Sequence, residues 1–306
     1  MSSRSLLNLA LLLGAVVLGL VAWLQPGKKP PKPAVTVTSL KPADVTRIEL
    51  KRADRPDMTF EKRGQQWYIV GKHDLRAAQF AVAGLLRLAD QKVSHSYPLS
   101  KMDAAQLKLD KPHASVRFNK GPLIQFGTTS AIGGDRYLKV GDHVYLVPDD
   151  YQPLVNGGVT TFVSRRLLPD GATVTGIDTP RFKLEQNSKG HWTLTPNNPD
   201  ITSDAIQRFA DGWAAASAIT VQTYQGGNGH AGAHQPAVTV RLKGHKTPIH
   251  FVIVHRKPEL VLARTDLGFA YHLGSEGTKR LLHIPEVHPE KGKTHTSETP
   301  AGAPAH

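Results

Sequence analysis

The sequence contains no cysteine. That absence removes disulfides, thiolate metal sites, a thiol nucleophile and a lipoprotein signal together. It fits an oxidising periplasm, where a free thiol is a liability, but cysteine-free cytosolic chains also exist. No Gly-x-Ser-x-Gly elbow is present to expose a nucleophilic serine. No basic helix interleaves aromatic residues at a spacing suited to nucleic acid, so nucleic acid is not an expected partner. The formal net charge of +13 is instead scattered over strand and loop positions such as Arg47, Lys51, Arg117 and Arg241. Such a balance favours anionic partners in general, phospholipid head groups and acidic polymers among them.

Chemistry-bearing clusters are equally thin. His230 and His234 stand four apart, but in a Gly-rich stretch that reads as a loop, with no third ligand at a recognisable spacing. His288, His295 and His306 fall in a tail. Gly133-Gly134-Asp135 and Gly226-Gly227 lack the strand-to-helix setting of a phosphate cradle, and Gly133 precedes a strand, so a hairpin turn is the better reading. Asp149-Asp150 follows a strand end and is expected to start a helical turn. Asp200, Asp204 and Asp211 belong to the polar side of a helix region. Trp67, Trp192 and Trp213 are expected in the core with their polar atom outward, an aromatic ligand platform being the sharper alternative. No catalytic, cofactor-binding or metal-binding residue is assigned, and no cofactor is expected.

What is present begins with an apolar run. Leu6 to Leu24 is nineteen residues with one polar side chain, Asn8, and no charge. As a helix it covers about 28 Å, close to the thickness of a bilayer's hydrocarbon core. A cleaved signal peptide would have a shorter run and small residues at its end; here the run ends in Ala22-Trp23-Leu24-Gln25-Pro26. An uncleaved single-pass anchor over residues 1–25 is therefore expected. Orientation stays open on charge alone: Arg4 and the α-amine flank one end, and Lys28, Lys29 and Lys32 flank the other. Residues 26–35 read as an extended Pro/Lys-rich spacer, and residues 286–306 as a disordered tail.

Between them the chain repeats itself. Val45 to Val70 and Val174 to Pro196 both read as alternating strands joined at a glycine, Gly64 or Gly190, and followed by a tryptophan. A helix follows in each: Ala78, Val82, Leu85, Leu86 and Ala89 mark one stripe, with Asp74 as its cap; Ile206, Ala210, Trp213 and Ser217 mark the other, capped by Thr202 or Ser203. Trp67 and Trp192, Tyr97 and Tyr224, Val116 and Val240, and Tyr145 and Tyr271 are offset by 124 to 127 residues. Hairpins are expected at Gly141-Asp142 and near Asp266 to Gly268. Val163 to Leu168 and Thr278 to Leu282 read as closing helix ends. The expected fold class is α+β: one N-terminal transmembrane helix, then two tandem repeats of a β-β-α-β-β-β-β-like unit, mostly antiparallel with a packed helix. The first module covers residues 36–169 and the second 170–285.

The order of VTRIEL, FEKRGQQWYIV, LRAAQFAVAGLLRLAD, and GDRYLKVGDHVYLV followed by FVSRRLL resembles the bacterial Domain of Unknown Function 4340 family, over about residues 36 to 285. That resemblance implies an envelope protein whose globular part faces away from the cytoplasm. Some members are encoded beside ABC-type transporter components. It supplies no catalytic residues. The expected function is a non-catalytic scaffold or accessory subunit in the bacterial inner membrane, bound to another protein, a transporter component being one candidate. The alternatives are a module that binds anionic envelope polymer or lipid head groups and, third, a hydrolase hidden in a cleft between the repeats.

Overall fold

The computed structural model describes residues 3–24, 35–226 and 235–286. The spacer up to residue 34, the tail beyond residue 286, and the loop holding His230 and His234 lie outside the described residues. Helix α1 (Ser3–Leu24) contains the apolar run, with side chains described at residue 9 and residues 11–20. Among the described residues no helix is long and apolar enough to cross a membrane. The contiguous described side chains cover about 15 Å of helix, half of what a span needs. The transmembrane helix expected over Leu6 to Leu24 is thus not shown.

The first sheet starts as a meander of β1 (Arg47–Arg52), β2 (Met58–Arg63) and β3 (Gln66–Val70). Its cause is strict alternation. Ile48 and Leu50, Met58 and Phe60, and Trp67 and Ile69 are all buried, while the residues between them turn away. A two-residue strand, β4 (Leu75–Arg76), pairs with β3 before helix α2 (Gln79–Leu86). Then come β5 (His95–Pro98), β6 (Ala114–Phe118), β7 (Leu123–Thr129), β8 (Arg136–Val140) and β9 (His143–Val147). The order across the sheet is β4-β3-β2-β1-β6-β7-β8-β9-β5, every neighbour antiparallel. Two short helices follow, α3 (Gln152–Val155) and α4 (Val159–Phe162).

The second sheet uses β10 (Val174–Asp178), β11 (Lys183–Gln186) and β12 (Trp192–Thr195), then helix α5 (Ser203–Ala214). After it come β13 (Thr220–Thr223), β14 (Ala237–Leu242), β15 (Ile249–His255), β16 (Val261–Arg264), β17 (Phe269–His272) and helix α6 (Gly277–Leu282). Its order is β12-β11-β10-β14-β15-β16-β17-β13. With β4 set aside, the two orders agree strand for strand. In each, three strands precede the helix and five follow, and the first of those five crosses to the far edge. The protein is α+β, with two mostly antiparallel sheets and a few helices.

Each sheet packs its long helix on one face. α2 buries Val82 and Leu85; α5 buries Ile206, Phe209 and Trp213. The buried residues form one cluster running from Val37 in the first part to Ile284 at the end of the second. Trp213 is the largest fully buried side chain, and its indole N–H donates to the Leu281 carbonyl at 3.0 Å, tying α5 to α6. Its polar atom points inward, opposite to expectation, because a buried N–H needs a partner wherever one is near.

Several local readings need correction. Asp74 does not cap α2. The cap position is Ala78, with no side-chain bond, because residues 75–76 are taken up by β4 and the helix starts later. Asp74 instead accepts from Arg63 at 2.6 Å. Ala89 and Ser217 lie beyond the helix ends, Ala89 buried in a turn and Ser217 in a bridge to Arg166. Val163 to Leu168 is not a helix end: α4 stops at Phe162 and the chain then runs extended. Asp149-Asp150 lead through a turn into α3 as read, but neither caps it: the cap position is Tyr151, with no side-chain bond, and Arg136 holds the Asp149 carboxylate. The repeating unit also has one strand more before its helix, and one more after it, than expected. Thr202 does cap α5, accepting from the Ala205 N–H at 3.2 Å, and the hairpins at Gly141-Asp142 and 265–268 form as read.

Candidate functional site

The extended stretch after α4 lies between the two sheets and hydrogen-bonds to both. On one side the Ala78 N–H donates to the Phe162 carbonyl at 2.6 Å, and the Ser164 N–H to the Arg76 carbonyl at 2.8 Å. On the other the Leu167 N–H donates to the Ala216 carbonyl at 3.1 Å, and the Ala218 N–H to the Arg165 carbonyl at 2.8 Å. Bridges Ala77 to Val163 and Arg166 to Ser217 complete a short zipper. The connector thus acts as a shared strand, satisfying its own polar backbone by borrowing partners from each side.

Charge closes this seam. Asp170 sits between two arginines: the Arg76 guanidinium donates to it, and Arg166 Nε lies 2.7 Å from its Oδ1. Arg166 Nε makes no aligned hydrogen bond, so that contact is one of charge alone. Arg76 also donates to the Leu168 carbonyl at 3.0 Å, and Arg166 to the Ala214 carbonyl at 2.8 Å. Across the seam Arg264 holds Asp266 through both oxygens, at 2.9 and 2.7 Å, with its guanidinium 5.7 Å from the Phe251 ring centre.

A cleft of about 200 Å³ opens here, lined among others by Asp74, Arg76, Arg166, Leu267 and Tyr271. Three titrating groups in or beside it are perturbed for identifiable reasons. The hydrogen bond from Arg63 holds the Asp74 carboxyl below the usual carboxylate range. That from Arg264 does the same for Asp266. Burial pushes the Tyr271 phenol up. The carboxylates Asp74, Asp170 and Asp266 each face an arginine, an arrangement that neutralises charge and fixes geometry.

The residues weighed from sequence fall elsewhere. Gly133 and Gly134 turn the chain between β7 and β8 with φ of 80° and 71°, a conformation glycine adopts freely. Asp204 and Asp211 are exposed on α5. Trp67 is buried, and Trp192 donates its indole N–H to Gln207 Oε1 at 2.9 Å. Sequence reasoning missed the cleft residues. Asp74 to Arg76, 163–170 and 249–271 are far apart in sequence, and only the paired arginines of FVSRRLLPD hint at a charged junction.

Two antiparallel sheets of one strand order, joined through a charged seam, define an α+β architecture. The family model described as Domain of unknown function (DUF4340) matches residues 67–224, which run from β3 across the seam to just after β13. The match covers just over half of the chain, so this chain belongs to that family. No curated protein and no solved structure matches it.

Proposed function

We propose that this chain is a membrane-anchored, non-catalytic envelope protein that acts as a scaffold or accessory subunit. Leu6 to Leu24 is its single span, and its two sheets lie on the periplasmic side. The observation that carries the reading is the pair of sheets with one strand order, fused at a seam whose ionisable groups are paired with one another. Duplicated modules locked in a fixed relation give a partner two related faces. The anchor is supported by α1, where the large described apolar side chains, such as Leu11, Leu12 and Leu18, are exposed and none joins the core.

Phe80 on α2 and Ile132 between β7 and β8 are 86% and 87% exposed. At the position matching Phe80, counted from the helix caps, α5 carries Asp204. The first sheet's helix therefore presents an apolar side chain where the second presents a charge. A protein partner, on the family's association an ABC-type transporter component, would meet the first face. The test is a photo-crosslinking amino acid placed in cells at position 80, 132 or 204. Adducts with one membrane-transport protein from 80 and 132, and none from 204, are the expected result. No adduct from any position would remove the scaffold reading.

A further inference from the structure

Most arginines on the sheet faces are matched to acids: Arg47 to Glu49 and Glu61, Arg63 to Asp74, Arg136 to Asp149, Arg241 to Asp178. The far end of the second sheet is different. There Arg181 from the β10–β11 loop, Arg256 and Lys257 after β15, Lys279 on α6 and His283 just beyond it converge around two adjoining hollows. One is about 20 Å³, room for a single water or one oxyanion oxygen, and the other about 500 Å³ and shallow. Arg256, Thr278 and His283 line both, and among the described residues no carboxylate lines either. Among the described residues none of Arg181, Arg256, Lys257 and Lys279 forms a salt bridge. Glu286 is nearby but accepts from Asn198 at 3.1 Å instead.

The field at this spot is legible in the imidazole. Arg181 Nη1 lies 3.3 Å from His283 Nδ1. A guanidinium can only donate, so Nδ1 is the acceptor and the proton of the neutral ring is on Nε2. Burial first, then the charges of Arg181 and Arg256, hold His283 below its ordinary value. Among the described residues, like charges are thus kept close together with no anion between them. At the seam Asp170 fills that role for Arg76 and Arg166.

We infer that the hollow between Arg181, Arg256 and His283 is a binding site for a phosphate-bearing ligand. Two guanidiniums and the Nε2–H supply donors in the forked geometry that matches a tetrahedral oxyanion, and Lys257 and Lys279 add charge at the rim. The inference stands independently of the scaffold reading, since it involves neither α1 nor Phe80. A free phosphate and a phospholipid head group share this chemistry.

The test uses the full chain in neutral detergent at low ionic strength, titrated calorimetrically with inorganic phosphate and, separately, with dihexanoyl-phosphatidylglycerol. Replacing both arginines, R181Q/R256Q, removes two charge-assisted contacts and is expected to weaken binding by about a hundredfold. R181K/R256K, which keeps the charge but loses the fork, is expected to retain part of it. Circular dichroism checks that both variants are folded. Phosphate binding lost in R181Q/R256Q identifies a soluble phosphate ligand. Lipid binding alone, lost in the same variant, identifies a head group. Wild type binding neither probe, or R181Q/R256Q folded and binding both as wild type does, overturns the inference.

Discussion

At the scale of single residues, the most constrained polar group is Arg136. Its side chain is 5% exposed, and all three nitrogens of its guanidinium donate. It donates to Asp149 Oδ1 at 2.6 Å and Oδ2 at 2.7 Å, to the Gly127 carbonyl at 2.5 Å and to Thr129 Oγ1 at 2.9 Å. Removing the carboxylate leaves a buried cation, so Asp149→Ala is expected to cost about 3 kcal/mol in urea unfolding. The double change Arg136→Met with Asp149→Leu should fall within about 1 kcal/mol of wild type, because it removes both charges and keeps the volume. A second residue-scale effect comes from His113 and His283. Burial, the largest cause for each, holds both rings below the ordinary histidine value of 6.5, with nearby arginines adding to it. Both give up their protons more easily folded than unfolded, so their contribution to stability is whole above 6.5 and is lost as pH falls through the lower folded values. The urea midpoint of wild type should therefore drop on going from about pH 8 to about pH 5. Under the same shift H113Q/H283Q should drop less; an equal drop in both would exclude the two histidines as its source.

At the scale of elements, the two long helices begin differently. Thr202 closes the first turn of α5 with its hydroxyl oxygen, whereas α2 starts at Ala78 with no side-chain bond. Thr202→Ala is expected to lower stability by about 1 kcal/mol, read as a shift in the unfolding midpoint, and Ala78→Ser to change it much less or raise it slightly. This contrast also shows what is legible in sequence. Thr202, the alternation of β1 to β3 and of β10 to β12, and the glycine turns all depend on neighbours a few residues away, so a local pattern reports them. β4 escapes such a reading, because two residues carry no period. The stretch Val163 to Leu168 reads as a helix end, since a mixed apolar and basic run fits a helix or a buried connector equally well. What decides it is hydrogen bonding to residues 76–78 and 216–218, which no local pattern reports. The seam cleft is illegible for the same reason, its arginines and carboxylates being brought together only by the packing of the two sheets.

At the scale of the whole molecule, the proposal turns on which side of the membrane the sheets occupy. Lys28, Lys29 and Lys32 follow the apolar run, and short-range charge bias would place that end in the cytoplasm. That bias weakens when a long folded region follows, because large domains cross largely regardless of charge. Here the run is followed by two sheets sharing one continuous core from Val37 to Ile284, well beyond the short loops to which the charge rule applies. The lysines then have another use: beside a Pro-rich spacer they can rest against anionic head groups on the outer side. The absence of cysteine fits that compartment too. Alkaline phosphatase and green fluorescent protein, fused separately after residue 285, report the two sides in living cells. The first is active only outside the cytoplasm, and the second, when exported unfolded, fluoresces only inside it. Phosphatase activity without fluorescence is the expected outcome. Fluorescence without phosphatase activity would put both sheets in the cytoplasm, and it would remove the periplasmic scaffold while leaving the fold, the seam and the phosphate site at Arg181 and Arg256 as they stand.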